Sequence, residues 1–430
     1  MNLQSNHITV TCYQLIKILL LICLSFLFTA CVGPQTVTVE PSDTPQPATA
    51  TPTATATERP TDTPAPSSTP TEIEASPTPV PITELVSIID AGLVAEGQGW
   101  VIAAGRLLWT TNDGDSWRDI SPAHDQNAII TNTFFLNSDE GWVVAIPQPG
   151  AELVTLPVTI FHTRDGGVSW QQNSFKADLP FGVFTGITDL KYLDRQHGWL
   201  VVNQTASMHS SAADLYNTQD GGSTWDVSEL PFNGPIYFIS PEIGWMTGSC
   251  CTGAPRQLFR SGDGGQTWEQ QVLVANPVED DFEYHDYRLP FFFDELEGLL
   301  AVTIRDVFYD PVQVGIFQTE DSGETWEQLT TFDPEEATEP GPGSGVQVQF
   351  LDPMKWIAAV EKSVYTTNDG GLTWERYEQI ELPGWHYQTT LINEREGWSL
   401  VFKDNCGSDC LLLYRTSDGG VTWEPVGETE

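Results

Sequence analysis

The stretch RTSDGGVTW, Arg415 to Trp423, sets an aspartate beside two glycines and five residues ahead of a tryptophan. A carboxylate in such a loop suits proton transfer, cation binding, or acceptance of hydrogen bonds from the amides of a tight turn. The pattern recurs as TTNDGDSW, TRDGGVSW, TQDGGSTW, SGDGGQTW, TEDSGETW, TNDGGLTW and TSDGGVTW, ending at Trp117, Trp170, Trp225, Trp268, Trp326, Trp374 and Trp423. Six of the seven copies place Asp five residues before Trp: Asp165, Asp220, Asp263, Asp321, Asp369 and Asp418. In the first, either Asn112 takes that position or Asp113 does with one residue lost. Seven similar carboxylates spread along a chain do not build one active site, whereas each meets the local needs of a hairpin. Gly166, Gly221 or Gly419 supplies positive φ, and the Ser/Thr and Asp oxygens bond back to the turn. A structural role is therefore expected, with the Asp tying the turn and the Trp packing between adjacent sheets.

A second acidic cluster does not repeat. Glu279 to Tyr287 crowds acids and aromatics, and Asp280, Asp281, Glu283, Tyr284, His285, Asp286 and Tyr287, followed by Arg288, are the candidate binding loop. Carboxylates beside aromatic platforms suit a cation or a sugar; the competing reading is a solvated connection. The chain has no HExxH, no Gly-x-Ser-x-Gly and no phosphate-binding glycine loop. No catalytic residue, metal ligand or cofactor is assigned, and a binding module is favoured over an enzyme. Of seven cysteines, Cys12 and Cys23 fall in the leader described below and Cys31 ends it. The remaining Cys250, Cys251, Cys406 and Cys410 are candidate disulfides, because their CC and CxxxC spacings do not match common zinc sites.

The elements that would position these groups follow from a second recurring motif, an apolar run, Gly-Trp, and more apolar residues. It reads GQGWVIA, DEGWVVA, QHGWLVV, EIGWMTG, MKWIAAV and REGWSLV, with LEGLLAV placing Leu299 where the fifth tryptophan would stand. The two motifs account for thirteen of the fifteen tryptophans, leaving Trp109 and Trp385. Successive closing tryptophans lie on average 51 residues apart. Each unit holds four short β-rich runs separated by turn residues, with no amphipathic helical pattern between them. Four strands per repeat of about fifty residues predict the blades of an all-β propeller.

The first eighty residues differ. Ile18 to Phe28 is an apolar run too short to span a bilayer but of signal-peptide length, and Phe28-Thr29-Ala30-Cys31 resembles a lipobox, making Cys31 an acylated first residue. The expected domains are a leader over 1–30, a disordered Thr/Pro/Ala-rich linker over 31–83, and the propeller over 84–430. The chain would then be a membrane-anchored, extracytoplasmic lipoprotein. With 59 acidic against 18 basic residues, a formal net charge of −41, nucleic acid is excluded as a partner.

The motif Ser/Thr-x-Asp-x-Gly-x-Thr/Ser-Trp resembles the Asp-box, or BNR repeat, of sialidases, sortilin-type receptors and xyloglucan hydrolases. Combined with Gly-Trp it more closely resembles the photosystem II stability and assembly factor family of seven-bladed propellers. That resemblance implies a seven-bladed ring with the Asp loops on its outer rim and ligands on its axial face. It also implies a non-catalytic scaffold whose partner is another membrane or envelope protein. The wider resemblance implies a glycan-active hydrolase or a lectin. Tyr287-Arg288-Leu289-Pro290 echoes a sialidase motif but stands between the fourth and fifth boxes, not ahead of the first.

Overall fold

The structure, a computed structural model, describes residues 72–74, 78–80 and 87–427, apart from 126, 149–154, 180–183, 208–209, 251–253, 274–283, 306–310, 334–345, 361–362, 379–381, 383 and 404–410. All regular structure among the described residues is strand. Each sequence repeat forms an antiparallel meander, such as Ala128–Phe135, Gly141–Pro147, Thr155–Thr163 and Ser169–Asp178 in the second. The chain is an all-β propeller built from such blades. The Gly-Trp strands are covered on both faces by neighbouring sheets, which is why they read as continuous apolar runs; Gly141–Ile146 is buried throughout.

The Gly-Trp pair works as an interlock between blades. Trp142 stacks on Tyr192 of the next repeat at 3.8 Å between centroids, Trp199 on Phe238 at 3.9 Å, and Trp245 on Phe292 at 4.6 Å. Each receiving ring closes the innermost strand of its repeat. A Cβ on Gly198 would stand 2.4 Å from the Tyr192 ring, one on Gly244 2.4 Å from Phe238, and one on Gly298 2.8 Å from Phe292. The glycine thus vacates the space its own repeat's ring must occupy to receive the preceding indole. The tryptophan of the Asp loop packs the other way. Trp170 donates from Nε1 to the Ile120 carbonyl of the preceding repeat at 3.0 Å, and Trp374 lies 4.4 Å from Phe332.

Within each Asp loop the bonds repeat. In the second, Thr163 Oγ1 donates to Asp165 at 2.9 Å and accepts the Gly167 amide at 2.9 Å, while Asp165 accepts the Ser169 amide at 2.8 Å and its hydroxyl at 2.6 Å. Asp220, Asp263, Asp321, Asp369 and Asp418 do the same. In the first loop Asn112 occupies the aspartate position: Thr110 Oγ1 donates to its Oδ1 at 2.9 Å, and the Ser116 amide at 3.0 Å. No residue is lost. Asp113 stands at φ 55°, where five of the other copies have their first glycine and the fifth copy has Ser322 at φ 58°, a conformation Asp tolerates better than most residues.

This displaced aspartate serves the seam between first and last repeats. Trp398 donates from Nε1 to Asp113 Oδ1 at 2.7 Å, and Arg415 donates to the Asp113 carbonyl at 2.9 Å and to Asp115 Oδ1 at 2.7 Å. Ile88 pairs with Leu411, and Val101, Trp117, Trp398 and Leu413 share one core.

The linker expected to reach residue 83 contains two strands: Glu72–Glu74 pairs with the outer strand of the second repeat and Thr78–Val80 with that of the first. Those outer edges carry unpaired amides and carbonyls that a passing extended chain satisfies, and Pro79 is admissible on an edge. The leader and the rest of the linker lie outside the described residues. Gly198→Ala, which must displace the Tyr192 ring, is expected to lower stability by about 1–3 kcal/mol in urea unfolding. Gly262→Ala, which meets only the tip of Arg260 at 4.0 Å, should stay within about 0.5 kcal/mol.

Candidate functional site

The innermost strands of the second to fifth repeats end around a common cavity of about 380 Å³. Only elements bordering the propeller axis can meet in this way. The walls are aromatic, from Phe134, Tyr192, Trp199, Tyr237, Phe238 and Phe292, with Lys191 on one side and Asp294 and Glu295 on another. The interlock accounts for half of these rings, since Tyr192, Phe238 and Phe292, which each receive an indole, are the last residues of their inner strands. Lys191 is held in place: its Nζ lies 3.3 Å from Asp189 Oδ1 and 6.0 Å from the Phe134 ring centroid. The Asp189 carboxylate raises the Lys191 pKa against the opposing effect of burial.

Asp90, on the inner strand of the first repeat, feels both Lys191 and Asp189 of the third. Burial pushes its carboxyl up to about 6, although the Ala91 amide, at 2.8 Å, and Lys191 favour the charged form. Asp189 is bonded to backbone, accepting the Leu190 amide at 3.0 Å and the Ile236 amide of the fourth repeat at 3.1 Å. Asp294 accepts the Leu296 and Glu297 amides, each at 2.7 Å, and the first of these causes, the Glu297 bond, holds it below the ordinary carboxylate value.

The residues singled out from sequence fall elsewhere. The aspartates of the repeated loops lie between third and fourth strands, engaged with their own turns. Burial opposes ionisation of Asp165, Asp220 and Asp418, yet the donated hydrogen bonds prevail and all three sit below the usual value. The acidic candidate loop divides. Asp280, Asp281 and Glu283 lie outside the described residues, while Tyr284–Tyr287 is not a loop but a strand paired with Val302 to Arg305. Asp286 accepts the Arg256 amide at 3.0 Å and lies 3.7 Å from Arg305. Tyr287 is buried, its hydroxyl accepting the Leu273 amide at 3.2 Å. Arg288 donates to the Val346 carbonyl of the next repeat at 3.0 Å; burial, helped by Arg256 and Arg305, lowers its pKa to about 10. Cys250 is half-buried beyond the strand Gly244–Gly248, and Cys251, Cys406, Cys410 and Cys31 lie outside the described residues.

Sequence reasoning also missed a half-buried cluster of polar and charged groups between the second and third repeats, in which a buried carboxylate meets an exposed arginine. Glu140, 1% exposed, accepts from His162 Nε2 at 3.1 Å and from Arg195 of the third repeat. His162 in turn stacks on Trp142 at 4.5 Å, and burial lowers its pKa despite the Glu140 bond.

Residues 181–281 match the model of a family described as the Photosynthesis system II assembly factor YCF48. The Photosystem II assembly lipoprotein Ycf48 of Synechococcus sp. (strain CC9902) is 25% identical over 152 residues, 34% of this chain and 38% of that relative. The match therefore spans well under half of the relative's length. The solved structure of YCF48 bound to D1 peptide superposes with a TM-score of 0.51 and 17% identity, covering 81% of this chain and 99% of that one. YCF48 from Cyanidioschyzon merolae gives a TM-score of 0.49 at 18% identity, covering 80% and 100%. The chain is a BNR-type propeller that resembles the photosystem II assembly factor.

Asp90 has a folded pKa above its unfolded value, so its contribution is fully favourable below the unfolded value and is lost as pH rises through about 6. Asp90→Asn is expected to raise stability by about 1–2 kcal/mol near pH 7.5 and to leave it unchanged near pH 3.5, read from thermal unfolding at the two pH values.

Proposed function

We propose that this chain is a non-catalytic protein-binding scaffold, an assembly factor like those it resembles, tethered at the extracytoplasmic face of a membrane through an acylated Cys31. The observation that carries the reading is the axial cavity. Aromatic walls contributed by four repeats offer rigid apolar contact of the kind that anchors protein interfaces. Asp294 at its edge is bonded to backbone amides that keep it ionised, which suits it to fixing charge and not to donating a proton. The bound D1 peptide of the similar YCF48 structure and the word lipoprotein in the Synechococcus relative's name support a protein partner and an anchor.

In this reading residues 1–30 are a leader, the segment from Cys31 to about residue 71 is a tether, and the remainder is a seven-bladed ring whose first two blades are edged by the end of the tether. The partner is an envelope or membrane protein. Cross-linking on intact cells should capture such a protein, and incubation of the purified ectodomain with xyloglucan or sialyl-oligosaccharides should release no sugar; sugar release would overturn the scaffold reading. Cys31→Ser should abolish acyl labelling and move the protein to the soluble fraction. A variant that stays membrane-bound would refute the anchor while leaving the scaffold standing.

A further inference from the structure

The position that follows the closing residue of the inner strand, a ring in five repeats and Leu391 in the last, is apolar in six of them: Leu136, Leu193, Ile239, Phe293, Leu351 and Ile392. Its geometry repeats as well. The backbone amide of each donates to the carbonyl of the residue four positions on, those of Glu140, His197, Ile243, Glu297, Lys355 and Glu396, at 2.9 to 3.1 Å. The next residue then closes the turn by accepting two amides on its side-chain oxygen, as Asn137, Asp294 and Asn393 do. Six copies of one hairpin end therefore set six apolar side chains around the same end of the axis. Leu136 and Ile392 are exposed, and Leu193 and Ile239 line the cavity itself. In the first repeat Val94 holds the corresponding position, after Leu93, which pairs with Gly99, but the strands there run on to Ala95 and Gln98 and close through Glu96-Gly97.

The hairpins that carry this ring are acidic. The four residues following each apolar position carry, over the six turns, ten Asp or Glu against three Lys or Arg. Asp294 and Glu295 reach the cavity, and the one cation there, Lys191, is neutralised by Asp189. A chain with a formal charge of −41 adds a long-range field of the same sign. Apolar walls select a hydrophobic segment, while aromatic faces and the surrounding carboxylates favour cations beside it.

We infer that this axial mouth docks a short apolar peptide segment flanked by Lys or Arg, a specificity that rests on the scaffold reading above. An acidic segment meets repulsion at the rim, and an uncharged glycan would gain nothing from the carboxylates. The test uses the full-length protein and three fluorescein-labelled peptides sharing one Leu/Phe core, flanked by Lys/Arg, by Asp/Glu or by Ser/Asn, titrated by fluorescence anisotropy. The Lys/Arg peptide should bind at least about tenfold tighter than the Asp/Glu peptide at low salt, and that gap should narrow as salt is raised. The double change Asp294→Asn, Glu295→Gln keeps the turn, since Asn137 and Asn393 make the same bonds, and should reduce the charge preference by about threefold. Ile239→Asn should weaken the Lys/Arg peptide by about tenfold, with folding monitored by thermal unfolding. Equal binding of all three peptides, tighter binding of the acidic one, or indifference to the double change would overturn the inference. If cellular cross-linking to the protein partner also survives the double change, the scaffold reading stands and its docking surface lies elsewhere.

Discussion

The structure depends on a ring, an indole and a missing Cβ. Each inner strand ends in a large side chain that fits only because the residue across its hairpin is glycine, and the preceding repeat's tryptophan then closes over it. The constraint is steric before it is energetic: a Cβ at Gly141 or Gly198 would come within 2.4 Å of the ring. Once the ring is seated, aromatic stacking and burial make successive sheets adhere along an otherwise flat contact. The junction that departs from the rule shows its cost. In the sixth repeat Trp356 itself takes the glycine's place across from Phe350 and meets that ring edge-on, at 87°, Ile357 stands where the indole stands elsewhere and packs with Leu391, and Leu299 of the preceding repeat substitutes for the stacking partner of Phe350.

The aspartate loops perform a different task with similar economy. Their hydroxyl and carboxylate bonds are internal to eight residues, and one backbone amide of each loop, such as that of Gly166 to the Asp139 carbonyl at 2.8 Å, ties it to the inner hairpin of its own repeat. The same set of bonds lets the first copy deviate. Because Asn112 can accept the same bonds as an aspartate, Asp113 is released to join the last repeat.

This division explains what could be read from the sequence. The blades, their four strands and the turn role of the aspartates were legible because their determinants are local and repeat. Which ring receives which tryptophan was not, since spacing says nothing about partners in the next repeat. The axial cavity was hidden for the same reason: Phe134 and Phe292 lie more than 150 residues apart and meet only when the sheets are arranged round an axis. The apolar position after each ring did leave a trace, recurring in Leu136, Leu193 and Ile239, but it reads as part of the preceding strand. The acidic run before Arg288 drew notice through composition, yet its described half is an inner strand. Strands of three residues at Glu72 and Thr78 are too short for any periodic signal.

The seam between first and last repeats differs from every other junction in one respect. Elsewhere, neighbouring blades are joined by chain as well as by contact, whereas Trp398 reaches Asp113 across 285 residues of sequence. Closing a flexible loop of that length costs about 5 kcal/mol of chain entropy, while a junction between consecutive repeats closes a loop of about fifty residues at about 3.5 kcal/mol. By chain entropy alone the seam is therefore the costliest junction to close from the unfolded chain, and a propeller opened at Trp398 would keep its other junctions intact.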